Sequence, residues 1–222
     1  MNVGSIYTTL FDHYGPQEWW PGETPFEVMV GAVPTQNTVW SNVEKAITNL
    51  NGTNALAAKT IAELAPAALA ELIRPAGYFN VKAKRLQNFC RWFLEQGGET
   101  ALQQWGDAKL RHGLLSVKGV GPETADDILL YAFNRPIFVI DAYTRRIFSR
   151  LGMIDGAEDY EQLRQRFEQQ LAKRHKERTQ QVQIFNEYHA LIVIHAKQSL
   201  LPYRIARLAR NCSLILSAKS GA

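Results

Sequence analysis

The sequence predicts an all-α protein, and three observations favour this class. Apolar residues recur along most of the chain with the 3.6-residue period of amphipathic helices. Sustained alternation of apolar and polar residues, which a half-buried strand would show, is nearly absent. The one β-like run, IFVID at 137–141, is short and follows Pro136. We therefore expect an extended connection there rather than a sheet.

Helical patterns follow one another with short connections, and neither a long Gly/Ser/Pro linker nor an internal repeat divides them. They cover about residues 4–14, 25–33, 38–50, 59–73, 80–96, 98–105, 107–116, 122–133, 142–151, 158–173 and 177–198. A chain of 222 residues with 46% hydrophobic residues is long enough to bury a sizeable core. The sequence thus predicts one large domain or two closely packed lobes.

Composition excludes several classes of protein. No window approaches the roughly 18 apolar residues of a membrane span, and the N-terminus lacks a secretory pattern, so we expect a cytoplasmic protein without membrane contact. Cys90 and Cys212 are far apart and form no CxxC pair, which argues against a disulfide framework or a metal knuckle. His189 and His195 lie on one predicted helix without same-face metal spacing, so no metal site is predicted.

Charge permits a nucleic-acid partner but does not require one. Lys and Arg together number 25 and Asp and Glu 21, and the sequence pI is about 9.1. This mild basic excess is also common among ordinary enzymes. The net charge therefore does not distinguish a nucleic-acid-binding protein from other enzymes.

A glycine-punctuated turn, Lys118-Gly119-Val120-Gly121, joins two predicted helices. Glycine adopts positive φ readily and leaves backbone N–H groups uncovered. Pro122 suits the first position of the next helix, where its missing N–H costs nothing. Free amides at a helix N-terminus attract a phosphate oxygen, although an ordinary αα-hairpin would show the same pattern.

Asp141 follows the apolar run PIFVI and precedes AYTRRIFSRLG, so the pattern predicts a helix N-cap. Capping alone is a sufficient structural reason for this aspartate. The full order is more specific, because a glycine hairpin, an amphipathic helix, an extended link and an aspartate follow one another. This order resembles the helix-hairpin-helix and Gly/Pro…Asp signature of the endonuclease III superfamily of DNA glycosylases.

Two further segments are similar to that superfamily. FEVMVGAVPTQNTVWSNVEKAI at 26–47 resembles its early helix pair with a glutamine-bearing turn, and IRPAGYFNVKAKRLQ at 73–87 resembles its Gly-aromatic-Asn-x-Lys-Ala segment. The resemblance implies one glycosylase unit over residues 1–222, with two helical lobes and a central cleft. The middle lobe would span about 30–133, including the hairpin at 107–133, and the second lobe about 1–29 plus 134–222.

Departures from the superfamily pattern carry information about activity. Bifunctional members have a lysine where this chain has Glu123, and a glutamate cannot form a Schiff base with the sugar. The resemblance therefore implies no strand-cleaving lyase activity. Many relatives hold an iron–sulfur cluster with four C-terminal cysteines, but this chain has only Cys212 there, so no cluster or other cofactor is expected. A monovalent cation at the hairpin carbonyls, as relatives can bind, is left open.

The motifs WWPG at 19–22, GAVPTQNT at 31–38, RPAGYFNVKAKRL at 74–86 and GVGPETADDIL at 119–129 are similar to the branch of 3-methyladenine DNA glycosylase III. The resemblance implies a monomeric, monofunctional glycosylase that excises alkylated purines from damaged double-stranded DNA. It makes Asp141 the catalytic residue. The base pocket would contain Trp19, Trp20, Pro21, Trp40, Glu123 and Lys197. The DNA contacts would come from Gln36, Asn37, Tyr78, Lys118, Gly119, Val120 and Gly121.

The chemistry of the substrate agrees with these residue types. A cationic alkylated purine over an indole face gains roughly 0.5–2 kcal/mol, so tryptophan suits the pocket wall. A damaged base also leaves the stack at low cost. Asp141 would then stabilise the developing oxocarbenium ion, or orient and deprotonate the attacking water.

Each of these residues also has a structural interpretation. The tryptophan pair suits a hydrophobic staple, and Glu123 suits the first turn of a helix through the macrodipole. Gln36 and Asn37 would cap a helix that begins near Thr38. The resemblance implies instead that Gln36 fills the space that the flipped base leaves in the duplex. It also implies that Tyr78 wedges near the opposite strand. Lys197 suits a solvated or phosphate-binding position.

The RIARLAR segment at 204–210 forms a basic stripe for backbone phosphate or a solvated surface. Two functional alternatives also remain at this point. One is a glycosylase for oxidised pyrimidines or mismatched bases, and the other is a helix-hairpin-helix module that binds DNA without turnover.

Overall fold

The computed structural model describes residues 2–19, 22–36, 38–173 and 175–199. Its α-helices are α1 (Val3–Tyr14), α2 (Pro25–Ala32), α3 (Trp40–Gly52), α4 (Ala58–Glu63), α5 (Pro66–Leu72), α6 (Phe79–Glu95), α7 (Gly98–Gln103), α8 (Asp107–Ser116), α9 (Pro122–Asp127), α10 (Ala142–Arg150), α11 (Tyr160–Ala172) and α12 (Arg178–Ser199). A 3-10 turn at Arg74–Ala76 and a π-helical turn at Ile128–Ala132 accompany them. Over these described ranges no residue forms a strand, which confirms the predicted all-α class.

Side-chain caps explain where several helices begin. The Asn2 side chain accepts a hydrogen bond from the N–H of Ser5, whose hydroxyl in turn accepts from the N–H of Asn2. Thr24 caps α2, and Pro25 occupies its first position. Both arrangements satisfy N–H groups that the first helical turn leaves without helical partners, so local sequence sets these boundaries.

The predicted helix over 59–73 is two helices, because Pro66 interrupts it. Leu64 and Ala65 have ψ angles of 142° and 132°, far from helical values, and α5 starts at Pro66. Proline has no N–H to donate and pushes the preceding residue out of the helical region. The freed carbonyl of Leu64 accepts a hydrogen bond from Nε2 of Gln87 at 2.7 Å.

The predicted helix over 122–133 also changes type. It continues from α9 into the π-helical turn, and the N–H of Phe133 bonds to the carbonyl of Ile128 at 3.2 Å. Residues 134–141 then connect to α10 without helix or strand. The predicted extended connection at 137–141 is therefore confirmed.

The chain divides into two compact units. The first comprises Met1–Trp19 and Pro136–Ala222, and the second comprises Trp20–Arg135. The boundary after Trp19 precedes α2, because α2 packs against the π-helical turn of the second unit.

The core of the first unit is a cluster of aromatic rings. Phe138 lies 5.1 Å from Phe167 between ring centroids and 5.6 Å from Tyr188, and Phe148 lies 4.6 Å from Phe167. All four are essentially inaccessible to solvent. The hydroxyl of Tyr188 donates to the carbonyl of Val3 at 2.8 Å, which ties α12 to the start of α1. Aromatic packing thus assembles elements from both ends of the chain around α12.

The second unit is built around α6, which packs against α4 and α5. Its hairpin helices are joined by an ion pair, in which Nε of Arg111 on α8 lies 2.6 Å from Oδ1 of Asp126 on α9. The Asp126 side chain is completely buried. This pair fixes α8 relative to α9 on either side of the glycine turn.

No helix in the described part of the chain combines the length and the hydropathy that crossing a bilayer requires.

A buried histidine links α12 to the end of α1. The hydroxyl of Tyr14 and Nδ1 of His195 are 2.9 Å apart, and His195 is 7% exposed. Burial lowers the pKa of His195 below its usual 6.5, and the nearby charge of His13 lowers that pKa further. The folded protein therefore holds this imidazole neutral under conditions in which the unfolded chain begins to protonate it.

We expect His195 to make the protein less stable in mild acid. Because the pKa of His195 is lower in the folded state, its contribution is present above about pH 6.5 and is lost as pH falls towards the folded pKa. Urea unfolding at pH 7.5 and 5.5 measures this loss in the wild type and in His195→Asn. The variant should lose less stability between these two pH values, and an equal loss would contradict the prediction.

Candidate active site and hairpin

The turn of the predicted hairpin comprises residues 117–121, between the end of α8 and Pro122. Gly119 has φ of +104°, and a Cβ there would lie 2.3 Å from Cγ of Arg85. Gly121 has φ of −96°, which most residues adopt. Glycine is therefore required at Gly119, where positive φ and the approach of Arg85 coincide.

Side-chain hydrogen bonds hold the turn against the rest of the second unit. Nδ2 of Asn88 donates to the carbonyl of Lys118 at 3.0 Å. Nε2 of Gln36 donates to the carbonyl of Gly119 at 3.3 Å and to Oγ1 of Thr124 at 2.9 Å. The backbone of the hairpin is thereby fixed, while the side chain of Lys118 remains exposed.

Gln36 has a structural role that the sequence did not predict. Arg85 donates a hydrogen bond to Oε1 of Gln36, so both ends of the Gln36 amide are bound. Entry of Gln36 into a duplex, as predicted, would require the release of these hydrogen bonds. The structure places this residue as a link between Arg85 and the hairpin. Its neighbour Asn37, also predicted to contact DNA, lies outside the described residues.

Tyr78, the predicted wedge, is an exposed aromatic residue in a strained backbone conformation. It is 76% exposed and has φ of +47° at the start of α6. A left-handed conformation costs a non-glycine residue roughly 1–2 kcal/mol. Such strain persists only where the surrounding structure imposes it.

A buried lysine holds that turn. Lys82 is 2% exposed, and its Nζ donates to the carbonyl of Ala76 at 2.7 Å. Ala76 ends the 3-10 turn, and Gly77 with φ of +69° leads from it to Tyr78. Burial lowers the pKa of Lys82, and the charge of Arg85 lowers it further.

We expect Lys82→Met to destabilise the protein by about 1–3 kcal/mol, because the buried carbonyl of Ala76 loses its donor while the aliphatic stem is retained. Chemical denaturation measures this change in the free energy of unfolding. Lys84→Met is the matched control, since Lys84 is exposed on the same helix and should be nearly neutral. Equal stability of Lys82→Met and Lys84→Met would contradict the expectation.

Trp40 and Glu123, both predicted pocket residues, belong to the second unit. The half-buried indole of Trp40 lies against α2, where a Cβ on Gly31 would come within 2.9 Å of its Cη2. Gly31 therefore makes room for the ring. Glu123 is exposed in the first turn of α9, a position where a carboxylate is favoured by the helix dipole. Their pocket roles remain predictions.

Asp141 is the N-cap of α10, as the sequence predicts. Its Oδ1 accepts hydrogen bonds from the N–H of Thr144 at 2.6 Å and from Oγ1 of Thr144 at 2.7 Å. Asp141 is 9% exposed, and Thr144 is 1% exposed. One carboxylate oxygen is thus committed to the helix start, which leaves Oδ2 as the oxygen available to other groups.

The surroundings keep Asp141 ionised. Burial raises the pKa of Asp141, but the neighbouring His189 and the two hydrogen bonds from Thr144 outweigh burial, so that the pKa lies below its usual 3.8. Nε2 of His189 on α12 lies 3.5 Å from Oδ2 of Asp141. A buried carboxylate that stays negative at neutral pH is suited to stabilising a developing positive charge.

The segment before the tryptophan pair is also held by α12. Oε1 of Glu187 accepts from the N–H of Gln17 at 2.7 Å, and Oε2 accepts from the N–H of Glu18 at 3.4 Å. Trp19 follows directly and is half-buried. Trp20 and Pro21, the other two residues of that predicted pocket wall, lie outside the described residues.

Lys197, also predicted to border the pocket, is exposed in the last turn of α12. Its position agrees with the solvated interpretation, and its pocket role remains a prediction. The basic RIARLAR segment lies outside the described residues.

The predicted site residues are distributed over the two units. Asp141, Trp19 and Lys197 belong to the first, and Trp40, Gln36, Tyr78, Glu123 and the hairpin belong to the second. Sequence analysis did not find the residues that support them, which are Arg85, Asn88, Lys82, Glu187 and His189. Lys82 and Arg85 both lie in the motif at 74–86, whereas the spacing of His189 argues only against a metal site.

The residues present do not suit a four-thiolate cluster. The chain has two cysteines, of which Cys90 is buried in α6 and Cys212 lies outside the described residues. Burial raises the pKa of Cys90 to about 12, which keeps it a protonated thiol at neutral pH. Where the structure describes the chain, no three His, Cys, Asp or Glu side chains are grouped to hold a metal ion.

The all-α fold, the glycine hairpin and the buried aspartate that caps α10 together define a class of protein. Comparison with known proteins identifies this class. Residues 30–173 match the family described as HhH-GPD superfamily base excision DNA repair protein. The chain belongs to this superfamily. The resemblance to the endonuclease III superfamily of DNA glycosylases is therefore confirmed.

Relatives in sequence lead to the same class. A Methanocaldococcus jannaschii protein, whose name assigns it provisionally to the DNA repair glycosylases, is 47% identical over 215 residues, which are 96% of this chain and 93% of the relative. Endonuclease III of Sulfolobus acidocaldarius is 27% identical over 184 residues, covering 78% of this chain and 73% of that enzyme.

A solved structure extends the likeness. The H. pylori 3-methyladenine DNA glycosylase MagIII bound to 1,N6-ethenoadenine matches with a TM-score of 0.80 and 30% identity, over 90% of this chain and 100% of that one. An endonuclease III–DNA covalent intermediate matches with a TM-score of 0.67 and 19% identity, over 86% and 85% of the two chains, and so shares the fold.

Proposed function

We propose that this protein is a monofunctional DNA glycosylase that hydrolyses the N-glycosidic bond of alkylated purines, foremost 3-methyladenine, in damaged double-stranded DNA. The observation that carries the proposal is the buried Asp141 carboxylate, which caps α10 through Thr144 and lies 3.5 Å from Nε2 of His189. The resemblance implies that this residue is the catalytic aspartate of the superfamily. The similarity to the H. pylori 3-methyladenine enzyme supports the choice of substrate.

Asp141 supplies the negative charge that this reaction requires. As the bond from C1′ to the base nitrogen breaks, its electron pair leaves with the base, and positive charge develops on the sugar. A carboxylate oxygen stabilises that charge more in the transition state than in the ground state. Water then forms the new bond to C1′, and its proton passes to the carboxylate or to solvent.

A cationic base is a good leaving group. Alkylation at a ring nitrogen places a positive charge on the purine, so bond cleavage neutralises it and protonation of the leaving group is not required. Indole rings attract such a cation through their faces. Trp19, Trp20 and Trp40, which are predicted to line the base pocket, would therefore favour alkylated purines over neutral bases.

The hairpin provides a contact with the DNA backbone. Its rigid turn presents Gly119 close to the surface and the exposed Lys118 beside it, and this geometry suits a phosphate rather than a base edge. Binding through phosphates would be insensitive to sequence and would weaken as salt concentration rises. Tyr78 at the start of α6 would then wedge into the duplex near the opposite strand.

Release of the base without strand cleavage is the second part of the proposal. Glu123 occupies the position of the lyase lysine in the bifunctional superfamily members, and a carboxylate cannot attack C1′ to give a Schiff base. The product would be an intact abasic strand. We also propose that the chain acts without an iron–sulfur cluster, since its two cysteines cannot supply four thiolate ligands.

Incubation with duplex DNA treated with a methylating agent tests the proposal. Chromatography of released bases should show 3-methyladenine, and denaturing gels should show strand breaks only after alkali is added. Release of oxidised or mismatched bases instead would support an endonuclease III-like specificity. Salt-dependent binding without any base release would support a non-catalytic binding module, and nicking without alkali would refute the interpretation of Glu123.

A further inference from the structure

His189 approaches the one carboxylate oxygen that the helix cap leaves available. It lies on α12, which packs against α10, and its Nε2 is 3.5 Å from Oδ2 of Asp141. Both side chains are buried, with exposed fractions of 8% and 12%. The pair joins two helices that are distant in sequence, so it is a tertiary contact rather than a consequence of helical spacing.

The two oxygens of Asp141 therefore have different partners. Oδ1 accepts two short hydrogen bonds from Thr144, which fix that oxygen at the start of α10. Oδ2 faces His189, and an oxygen with two lone pairs has room for one donor and one reacting group. Rotation of the carboxylate about its Cβ–Cγ bond would exchange these roles, and a donor on Oδ2 opposes that rotation.

We propose that His189 is a positioning residue for Asp141, and that its Nε2–H holds Oδ2 in the orientation in which the carboxylate meets the sugar. This inference rests on the proposed glycosylase function. The 3.5 Å separation is long for a hydrogen bond, and catalytic hydrogen bonds of this length often shorten in the complex with substrate.

A positioning role predicts consequences that simple core packing does not. If His189 only packed in the core, its contribution to stability would not depend on the charge at position 141. Any side chain of similar volume could then replace it without loss of activity. A donor to Oδ2 acts only through the carboxylate. Its removal should lower the rate of the chemical step while binding to product DNA remains unchanged, because only the orientation of the reacting group is lost.

Three substitutions separate these possibilities. His189→Gln retains an N–H close to the position of Nε2, His189→Asn retains a polar amide that is too short to reach Oδ2, and His189→Leu removes the donor. Single-turnover base release should fall about 10–100-fold in the Leu and Asn variants and much less in the Gln variant. His13→Leu, at an exposed position of α1, is the control and should leave the rate unchanged.

Coupling to Asp141 provides the decisive comparison. In an Asp141→Asn background, His189→Leu should cause no further loss of base release, whereas independent effects would add. Wild-type rates in the Leu and Asn variants, equal losses in the Gln and Asn variants, or additive losses in the double variant would each overturn the proposal. Because Gln and Asn are both polar, their comparison holds even if the Leu variant fails to fold.

A measurement without substrate separates this inference from the proposed function. NMR titration of the Asp141 carboxyl carbon in the wild type and in His189→Leu should show a higher pKa in the variant, because the favourable partner of the anion is gone. An unchanged pKa would overturn the pairing. If the wild-type protein releases no methylated base, the proposed function fails, and the titration still decides whether His189 acts on Asp141.

Discussion

Asp141→Asn should reduce the release of 3-methyladenine by about 10³-fold, within the range of general base and electrostatic contributions in other enzymes. The substitution removes the negative charge but retains an oxygen that accepts from the N–H and the hydroxyl of Thr144. Asparagine caps helices about as well as aspartate, so α10 should keep its start. Single-turnover release from methylated duplex DNA is the measurement.

Binding should be affected much less than turnover. The proposed contacts with the DNA backbone come from the hairpin and do not use the Asp141 carboxylate. The Kd for DNA with an abasic-site analogue should therefore stay within a few-fold of wild type. Asp159→Asn is a matched control, because Asp159 caps α11 through the N–H groups of Glu161 and Gln162 at an exposed position. Wild-type base release by Asp141→Asn would refute the assignment of the catalytic residue.

Asp126→Ala should lower the free energy of unfolding by about 3–5 kcal/mol, the usual cost of removing one partner of a buried ion pair. Nε and Nη2 of Arg111 lie 2.6 Å and 3.2 Å from the two carboxylate oxygens, and the Asp126 side chain has no solvent exposure. The truncation would leave a guanidinium that is 15% exposed without this partner. Urea denaturation monitored by tryptophan fluorescence measures the change.

The exposed pair Arg74–Glu71 provides the comparison for that measurement. Its side chains are 62% and 67% exposed, and surface pairs of this kind are usually worth less than about 1 kcal/mol. Glu71→Ala should therefore be close to wild type. Similar stabilities of the Asp126 and Glu71 variants would show that the buried pair does not hold α8 against α9.

Much of the fold followed from local sequence because helix formation depends on neighbouring residues. The 3.6-residue period predicted the all-α class, and the cap at Asp141 was predicted correctly because its donors come from Thr144, three residues away. The single predicted helix over 59–73 was wrong, because the apolar period continues past Pro66 whereas the helix cannot, and a new helix starts there. The π-helical turn at Ile128–Ala132 has no comparable local signal.

The motifs by themselves determined the superfamily, the candidate catalytic aspartate and the absence of a lysine at Glu123. Only the tertiary structure decided what supports them, because the supporting contacts join residues far apart in the chain. Gln36 binds the hairpin through Gly119, Lys82 holds the turn before Tyr78, and His189 on α12 meets Asp141. Spacing along a helix specifies which residues share a face, but the partner that a face meets depends on how separate helices pack.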